Sequence, residues 1–498
     1  MKGNYKMTIQ TRLLKHALLL SLASASLFAT NHVVSLNEAI DLALQNNAKL
    51  KISQTDIQIA DAMYEQAMSA NYPTLDLDIS AMRMDEAPTF EMRGVTTVDN
   101  TLTKQVYTNS AGIAALGGDL ATAGAINAAV AQMPDTTELP IDMEVEIMGR
   151  DSIVSQLSLK YPLYTGGKIS AIVKQASLAK KIAQEGKRRT NNEVIHDVKR
   201  YYYGAMLTKK LKKLSEDTLE RMSFVRDLTS RLYQGGSMNA KKTDYLRSKL
   251  SVNLLESLNE EIAQKDLMAN SALIFAMGMP WSDTVEVSQA DFVEPQMDDT
   301  LSALVENAYK FNPDYASLKI AIDIHEAKID EAQSGYLPNV GLMASAQNIY
   351  SDYEYGVVND TTKNSWTIGV GVQWSLFSGM RTVNQVEQSR LEKLKLQQQE
   401  LLLQDGLALQ VKQAFLEMKS SHKQHTILSE ASQTAQENRD LNTRAYQEDM
   451  VETKDVIESQ LFESYTFAGY YRSLHDHAIA RSNLDFIIGK AVENELKK

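Results

Sequence analysis

Hydrophobic positions along this chain follow two periods. Over long tracts they recur three or four residues apart, and in four short stretches they alternate. From residue 36 onward, Leu36, Ile40, Ala43 and Leu44 mark one face of an amphipathic helix of about 35 residues, which a proline ends. Two tracts, between Pro162 and Pro280 and after Pro338, hold no proline. Proline in a helix interior costs about 3 kcal/mol, so these tracts read as very long helices. In the first of them Leu211, Leu214, Thr218, Met222, Val225, Leu228 and Leu232 form a coiled-coil-like seam. Taken alone, that seam suits an ordinary soluble coiled coil.

The alternating stretches are strands. Trp366, Ile368, Val370, Val372, Trp374 and Leu376 alternate with Thr367, Gly369, Gly371, Gln373 and Ser375. The same period runs through Leu75, Leu77 and Ile79, through Leu157, Leu159, Tyr161 and Leu163, and through Val340, Leu342, Ala344 and Ala346. A half-buried soluble strand also alternates, but Trp366 and Trp374 share the apolar face roughly 27 Å apart along the strand. Tilted, that span approaches the ~25 Å apolar band between the aromatic girdles of an outer-membrane barrel. Tyr161, Trp366 and Trp374 are therefore candidate membrane-interface aromatics. Four strands cannot close a barrel, and open edges are not tolerated in lipid, so a membrane reading requires strands pooled between chains.

The chain is internally duplicated. At a constant offset, Leu36 matches Leu301, Ala43 matches Ala308, Asn47 matches Asn312, Ala62 matches Ala327 and Pro73 matches Pro338. A second register pairs "LSLKYPLYTGGK" from Leu157 with "VGVQWSLFSGMR" from Val370, and "RLYQGGSMNAK" from Arg231 with "RAYQEDMVETK" from Arg444. The change of offset places an insertion in the first half. The expected organisation is a signal peptide at 1–25, with cleavage as late as 29, then two repeats, 26–300 and 301–498. The first repeat holds a helix at 36–71, strands at about 72–84 and 152–164, an inserted loop at 86–150, and helices at about 169–233 and 239–278. The second holds a helix at 301–336, strands at about 338–350 and 364–377, and helices at about 379–446 and 452–490. Each return helix is shorter than the long helix it faces. The missing length is close to that of the helix opening the repeat, which is expected to stack end to end with the return helix. The Ala- and Gly-rich insertion reads as a flexible surface loop, with a pore cap as the alternative.

Composition narrows the function. The net charge is -12, and the sequence pI of about 5.3 disfavours nucleic acid, which needs a basic face. The absence of cysteine removes disulfides, thiolate metal sites and thiol catalysis. Mean hydropathy is -0.29 and no ~20-residue apolar run follows the N-terminus, which excludes a helical membrane protein but not a β-barrel. Lys2, Lys6, Arg12 and Lys15 precede the apolar Ala17–Phe28 and an Ala23-Ser24-Ala25 cleavage pattern, which indicates export. "GGKIS" at 166–170 fails the phosphate-loop spacing at Pro162 and Ile169. The pairs His422/His425 and His475/His477 lack a carboxylate–histidine motif and read as exposed helix histidines. No catalytic, cofactor or metal site emerges.

The opening "LNEAIDLALQNN", the "SLFSG" turn and the "AYQEDMVETKDVIESQ" turn, in this order between hairpins and long helices, resemble the TolC-like outer-membrane efflux proteins. The resemblance covers nearly the whole mature chain. It implies a mainly α fold with membrane β: an internally duplicated long α-helical coiled-coil barrel, and four amphipathic strands per chain in a pooled, trimeric, twelve-stranded β-barrel. It implies a homotrimer in outer-membrane lipid that extends into the periplasm. Such a trimer is a passive conduit for efflux or type I secretion, opened by a periplasmic adaptor and an inner-membrane pump of RND or ABC type. The adaptor would dock at the tips, here Gly235, Gly236 and Ser237 in one repeat and Glu448, Asp449 and Met450 in the other. Asp455 and Glu458 match an acidic ring at the periplasmic aperture; a solvated helix start is the plainer reading of both. Val451 stands where relatives carry a basic partner, with Lys241 and Lys242 as possible substitutes. The rival from residues alone is a soluble periplasmic coiled-coil scaffold.

Overall fold

The computed structural model describes residues 31–87, 89–95, 98–137, 140–146, 149–236, 240–288, 300–351, 364–448 and 450–490. The expected signal peptide, Ser237 and Asp449 lie outside these residues. The first repeat opens with strand β1 (Asn31–Val34) and helices α1 (Leu36–Asn46) and α2 (Ala48–Ser69), followed by strand β2 (Thr74–Arg83). An inserted segment holds β3 (Thr89–Val95), β4 (Val98–Asp99), α3 (Asn100–Leu116), α4 (Leu120–Gln132), β5 (Thr136–Thr137) and β6 (Pro140–Glu146). Strand β7 (Asp151–Tyr164), the long helix α5 (Lys168–Gln234), the return helix α6 (Lys242–Met277) and strand β8 (Thr284–Val287) complete it. The second repeat runs α7 (Leu301–Phe311), α8 (Pro313–Gln333), β9 (Asn339–Ser351), β10 (Asn364–Gln373), α9 (Arg381–Gln447) and α10 (Thr453–Ile488).

The helix expected over 36–71 is two helices, and so is its repeat over 301–336. The break falls at Asn47 and at Asn312, which the duplication pairs. Each leaves helical geometry, with ψ of 128° and 123°. The Asn47 Nδ2 donates to the Ala276 carbonyl at 2.7 Å, and its Oδ1 accepts from the Lys49 backbone N–H at 2.9 Å. Asn312 repeats both contacts, to the Ile487 carbonyl and from the Tyr315 N–H, each at 2.9 Å. Thus one asparagine ends one helix, caps the next and satisfies an orphan carbonyl at the end of the return helix. The return helices stop there on glycines in left-handed geometry, Gly278 (φ 69°) and Gly489 (φ 87°). A Cβ at Gly278 would stand 2.7 Å from the Asn46 carbonyl carbon, and one at Gly489 would stand 2.8 Å from that of Phe311. Only glycine allows this approach.

The described residues divide into two units. One comprises the chain up to Ile59, Lys181–Ala321 and the chain from Leu396; the other comprises Ala60–Lys180 and Ile322–Lys395. In the first unit α6 runs antiparallel to α5, with Asp266 accepting from the Thr208 hydroxyl at 3.0 Å. Beyond the break, α2 takes over along α5, where Lys49 pairs with Glu193 and Asp197. α1 instead packs into a core of Ala39, Ile40, Ala43, Val194, Ile195, Leu273 and Met277, roofed by the parallel pair β1–β8. A second core joins Leu304, Ala308, Val411, Met418 and Leu484 in the other repeat. A third brings the two repeats together near the tips, through Met222 and Val225 of α5, Val252 of α6, Tyr446 of α9, and Val456 and Ile457 of α10.

α5 and α10 are also clamped by charge. The buried Glu463 carboxylate accepts from Arg221 at 2.7 Å and lies 3.3 Å from Arg439 of α9. Arg221 Nε also donates to Gln460, and the Thr218 and Ser464 hydroxyls meet at 2.7 Å. Buried charge persists only when paired and hydrogen-bonded; this carboxylate is paired on both oxygens and hydrogen-bonded to Arg221 through one.

In the second unit four of the strands form an antiparallel sheet in the order β10–β9–β7–β2. The helices joined to them keep that order, since Lys393 of α9 pairs with Glu326 of α8, Gln175 of α5 with Glu331 of α8, and Lys180 of α5 with Asp61 of α2. Each strand-to-helix turn carries two consecutive left-handed residues, Gly166–Gly167 and Gly379–Met380.

Three expectations come from these junctions and the clamp. Gly489→Ala incurs about 1–2 kcal/mol for the left-handed backbone alone, plus the backbone clash, and exceeds the loss of two side-chain hydrogen bonds in Asn312→Ala, about 2 kcal/mol. Gly186→Ala, at a helical position with nothing within 4 Å, stabilises by about 0.5–1 kcal/mol. Thermal melting of the helical circular-dichroism signal ranks the three. Glu463→Gln strips charge from beneath two guanidinium groups and costs about 3 kcal/mol in denaturant titration; an unchanged midpoint would show that the clamp contributes nothing.

Candidate functional site

Pairing rows show which side chains share a sheet face. Leu77, Leu157, Ala346 and Trp366 form one row, and Leu75, Leu159, Ala344 and Ile368 the next. Tyr161, Leu342 and Val370 continue that face, and Val340 pairs with Val372 below them. The other face carries Asp76, Ser158, Ser345 and Thr367 in one row and Asp78, Gln156, Gln347 and Ser365 in another. Trp366 is 77% exposed, and Leu75, Leu77, Ile79, Ile368, Val370 and Val372 are exposed with it. The sheet thus presents a bare apolar face and a polar one. An exposed apolar patch of this kind marks a surface meant for another phase or partner.

Aromatic positions recur along the apolar face. The row beyond Trp366 is mixed, holding Ile79 with Ser155, Asn348 and Asn364, the two asparagines hydrogen-bonded at 2.6 Å. At the other border Trp374 follows the last residue of β10, and its indole N–H donates to the Tyr336 carbonyl at 3.1 Å. Tyr161 is half-buried. Sequence reasoning missed Tyr350, an exposed aromatic on the same face opposite Ile153. The alternation reaches it only through Asn348, which hid it.

Among the described residues the sheet edges and the outer helical seams are unpartnered. β10 and β2 end the sheet. On α6, Leu246, Leu250, Leu254 and Leu258 are exposed at four-residue steps. On α9, Leu402, Leu409 and Leu416 are exposed at seven-residue steps, with Leu402 at 74%. A heptad stripe open to water is half of a coiled-coil seam.

At the tips, Gly235 N–H closes on the Arg231 carbonyl at 2.8 Å and Gly236 turns left-handed (φ 77°). In the other repeat Glu448 N–H reaches the Arg444 carbonyl, Met450 N–H reaches that of Ala445, and Met450 is exposed. Lys242 and Thr453 open the return helices, an offset of 211 against 213 between Lys168 and Arg381 at the starts of the long helices. The second turn is therefore two residues shorter. Asp455 consequently corresponds to Asp244: each carboxylate accepts from the backbone N–H at its helix N-cap, Glu452 at 3.2 Å and Lys241 at 3.0 Å. Asp455 and Glu458 share the exposed face, opposite buried Val456, Ile457 and Gln460. Glu458 lies 3.6 Å from Lys454, and the residue at its position in the first repeat is Arg247. Lys241 is an N-cap, and Val451 packs against the core at the tips.

The histidines differ from their expected exposure. His477 is 3% exposed, and its Nδ1 lies 3.2 Å from the Ser421 hydroxyl. His425 stacks on Tyr470, and only His422 of the four is fully exposed. Helix pairing of α9 with α10 buries one side of each, which a sequence spacing cannot show. His196 stacks on Phe486, and burial pushes its imidazole below the ordinary value. Among the described residues no group of three or more His, Cys, Asp or Glu is placed to hold a metal ion, and no helix is long and apolar enough to cross a membrane.

The insertion is ordered where it is described. β3 and β6 form an antiparallel ribbon that leads to the helical hairpin α3–α4. The expected flexible loop is thus replaced by capped helices, with Asp99 and Asp119 accepting from the N–H groups of Thr101 and Thr122.

Comparison with known proteins agrees with this architecture. The family described as "Outer membrane efflux protein" matches residues 144–278 and 304–451. The chain is 28% identical over 249 residues to the alkaline protease secretion protein AprF of Pseudomonas aeruginosa, and this match spans about half of each chain, 49% and 50%. Among solved structures, the CmeC outer membrane channel of Campylobacter jejuni superposes with a TM-score of 0.68 at 14% identity, covering 92% of this chain and 86% of that one. The open-state MtrE outer membrane channel of Neisseria gonorrhoeae gives 0.64 at 14% identity, with 92% and 89% covered. With duplicated long helical hairpins and a sheet that has one bare apolar face, the family match over more than half the chain places this chain in the outer membrane efflux protein family.

Proposed function

We propose that this protein acts as a homotrimer, a passive outer-membrane channel of a tripartite efflux or type I secretion system. The carrying observation is that both sheet edges, β2 and β10, and both outer seams, on α6 and α9, lack partners among the described residues. Three copies supply twelve strands, and joining β10 of one copy to β2 of the next removes every open edge. The same joins would cover the leucine stripes of α9 and α6, which lie at different distances from the tips, each against a neighbouring copy. The repeats at 26–300 and 301–498 then contribute equivalent staves, and no catalytic step is required of the chain. An adaptor at the tips and an inner-membrane pump would open the periplasmic end. AprF is named for protease secretion, which makes an exported protein the first cargo to test and small molecules the second.

At the aperture the reading assigns Glu458, and with it Asp455. Three copies place six carboxylates around the axis, an arrangement that favours cations. Asp455 also serves its own helix as a capping-box acceptor, so the two roles coincide in one carboxylate.

Two experiments test this. The protein should fractionate with the outer membrane as a trimer that dissociates only on heating, and should form pores in planar bilayers; recovery as a monomer in the aqueous periplasmic fraction supports the scaffold instead. The double change Asp455→Asn and Glu458→Gln keeps the hydrogen-bonding shape and removes the charge. Cation-over-anion permeability should fall about twofold or more, and an unaltered ratio removes both residues from the aperture.

A further inference from the structure

The insertion carries a feature that membership of the family does not explain. Residues 100–132 fold as the hairpin α3–α4, and the turn between the two helices touches the sheet. The Thr367 hydroxyl donates to the Gly118 carbonyl at 3.1 Å. Thr367 lies on the polar face, in the row of Asp76, Ser158 and Ser345. The hairpin therefore folds back from the end of the β3–β6 ribbon and rests its tip well down that face. The lengths agree. From Asp151 at the end of β7 to Ser158 is seven residues, roughly 23 Å of strand. The 17 residues of α3 span roughly 25 Å. Short side chains at Ser158, Ser345, Thr367 and Gly369 leave room for a helix against the sheet.

The hairpin itself is built for a confined place. Only Lys104 and Asp119 are charged between Asn100 and Gln132. Lys104 is tied to Asp135 at the base at 2.7 Å, and Asp119 caps α4. Ala111 and Ala123 are buried where the two helices meet. On the outside, Leu102, Val106, Ile113 and Leu116 fall on one face of α3 and are exposed, Leu116 to 90%. Because this stripe is bare while the tip is seated, it faces away from the chain's own sheet. In a closed barrel, a side chain on the polar face that points away from its own wall points toward the axis.

We propose that α3–α4 is a constriction of the barrel lumen, and that the Leu102–Leu116 stripe of each copy is covered by the same stripe of the two other copies. The occupant is thus a second copy of this chain, and the contact continues the seam that β10, which holds Thr367, makes with its neighbour. The inference rests on the trimeric channel proposed above. It predicts that the outer mouth is narrowed by the protein itself, independently of the periplasmic tips.

The chain has no native cysteine, so single thiols report cleanly. Thr367→Cys should react with a membrane-impermeant maleimide from outside intact cells about five-fold or more slowly than the same thiol in a chain whose residues 100–132 are replaced by a short Gly-Ser linker. Leu116→Cys should give crosslinked dimers and trimers on denaturing gels after treatment of outer membranes with a short bismaleimide. Equal labelling with and without the hairpin overturns its seat in the lumen. A heat-dissociable trimer in which Leu116→Cys stays monomeric overturns the contact between copies. A chain that forms no trimer at all overturns the channel reading, and this inference with it.

Discussion

A 67-residue helix cannot bury its apolar side against itself, and the 36-residue helix that returns from its tip covers only about half of it. That shortfall organises the chain. The remaining length of α5 is covered by α2, which must begin where α6 ends. Two helix ends then meet in one place, with unsatisfied carbonyls on one side and unsatisfied amides on the other. Asn47 bridges them through its side chain, and Gly278 lets the backbones approach. The same solution at Asn312 and Gly489 indicates that the junction was built before the duplication and kept by both copies.

With the helices paired in this way, the sheet inherits their order. Each helix of the second unit is covalently continuous with one strand or separated from it by a tight turn. The sequence of neighbours α9, α8, α5, α2 is therefore the sequence β10, β9, β7, β2. Hydrogen bonding in the sheet and ion pairs between helices specify one arrangement twice. Among the described residues the sheet edges β2 and β10 stay unpaired, and leucines on α6 and α9 are left bare. The oligomer proposed above would satisfy backbone polar groups in the sheet and apolar area in the helices, two independent contributions of the same sign.

Much of this was legible in residue patterns because it repeats. The proline-free tracts marked the long helices, and the alternation from Trp366 to Trp374 marked an apolar face that the pairing rows then assembled across four strands. The shortfall in length announced a helix stacked on the return helix. What escaped was local. Asn47 sits inside an unbroken helical periodicity, so its break depends on a carbonyl 229 residues away. Glu463 looks like any helix glutamate until Arg221 and Arg439 arrive from two other helices. His477 is buried by a partner helix that spacing does not identify. The Ala- and Gly-rich insertion gave no amphipathic signal strong enough to separate a hairpin from a loop, since its helices meet through small residues.

The two repeats differ most where a duct would be controlled. Along the junctions they are nearly interchangeable, with the same asparagine and the same glycine. At the tips they part: the second turn is two residues shorter, and Glu458 stands where the first repeat has Arg247. In the sheet-bearing unit, among the described residues, the ribbon and the α3–α4 hairpin belong to the first repeat alone. A trimer of duplicated chains would have six near-equivalent staves, and a six-fold arrangement offers no distinction between inner and outer hairpins. Opposite charge at equivalent positions supplies that distinction at one end, and a single insertion per chain supplies it at the other. In such a trimer these differences would reduce the symmetry from six-fold to three-fold, while the junctions keep the packing that the two repeats share.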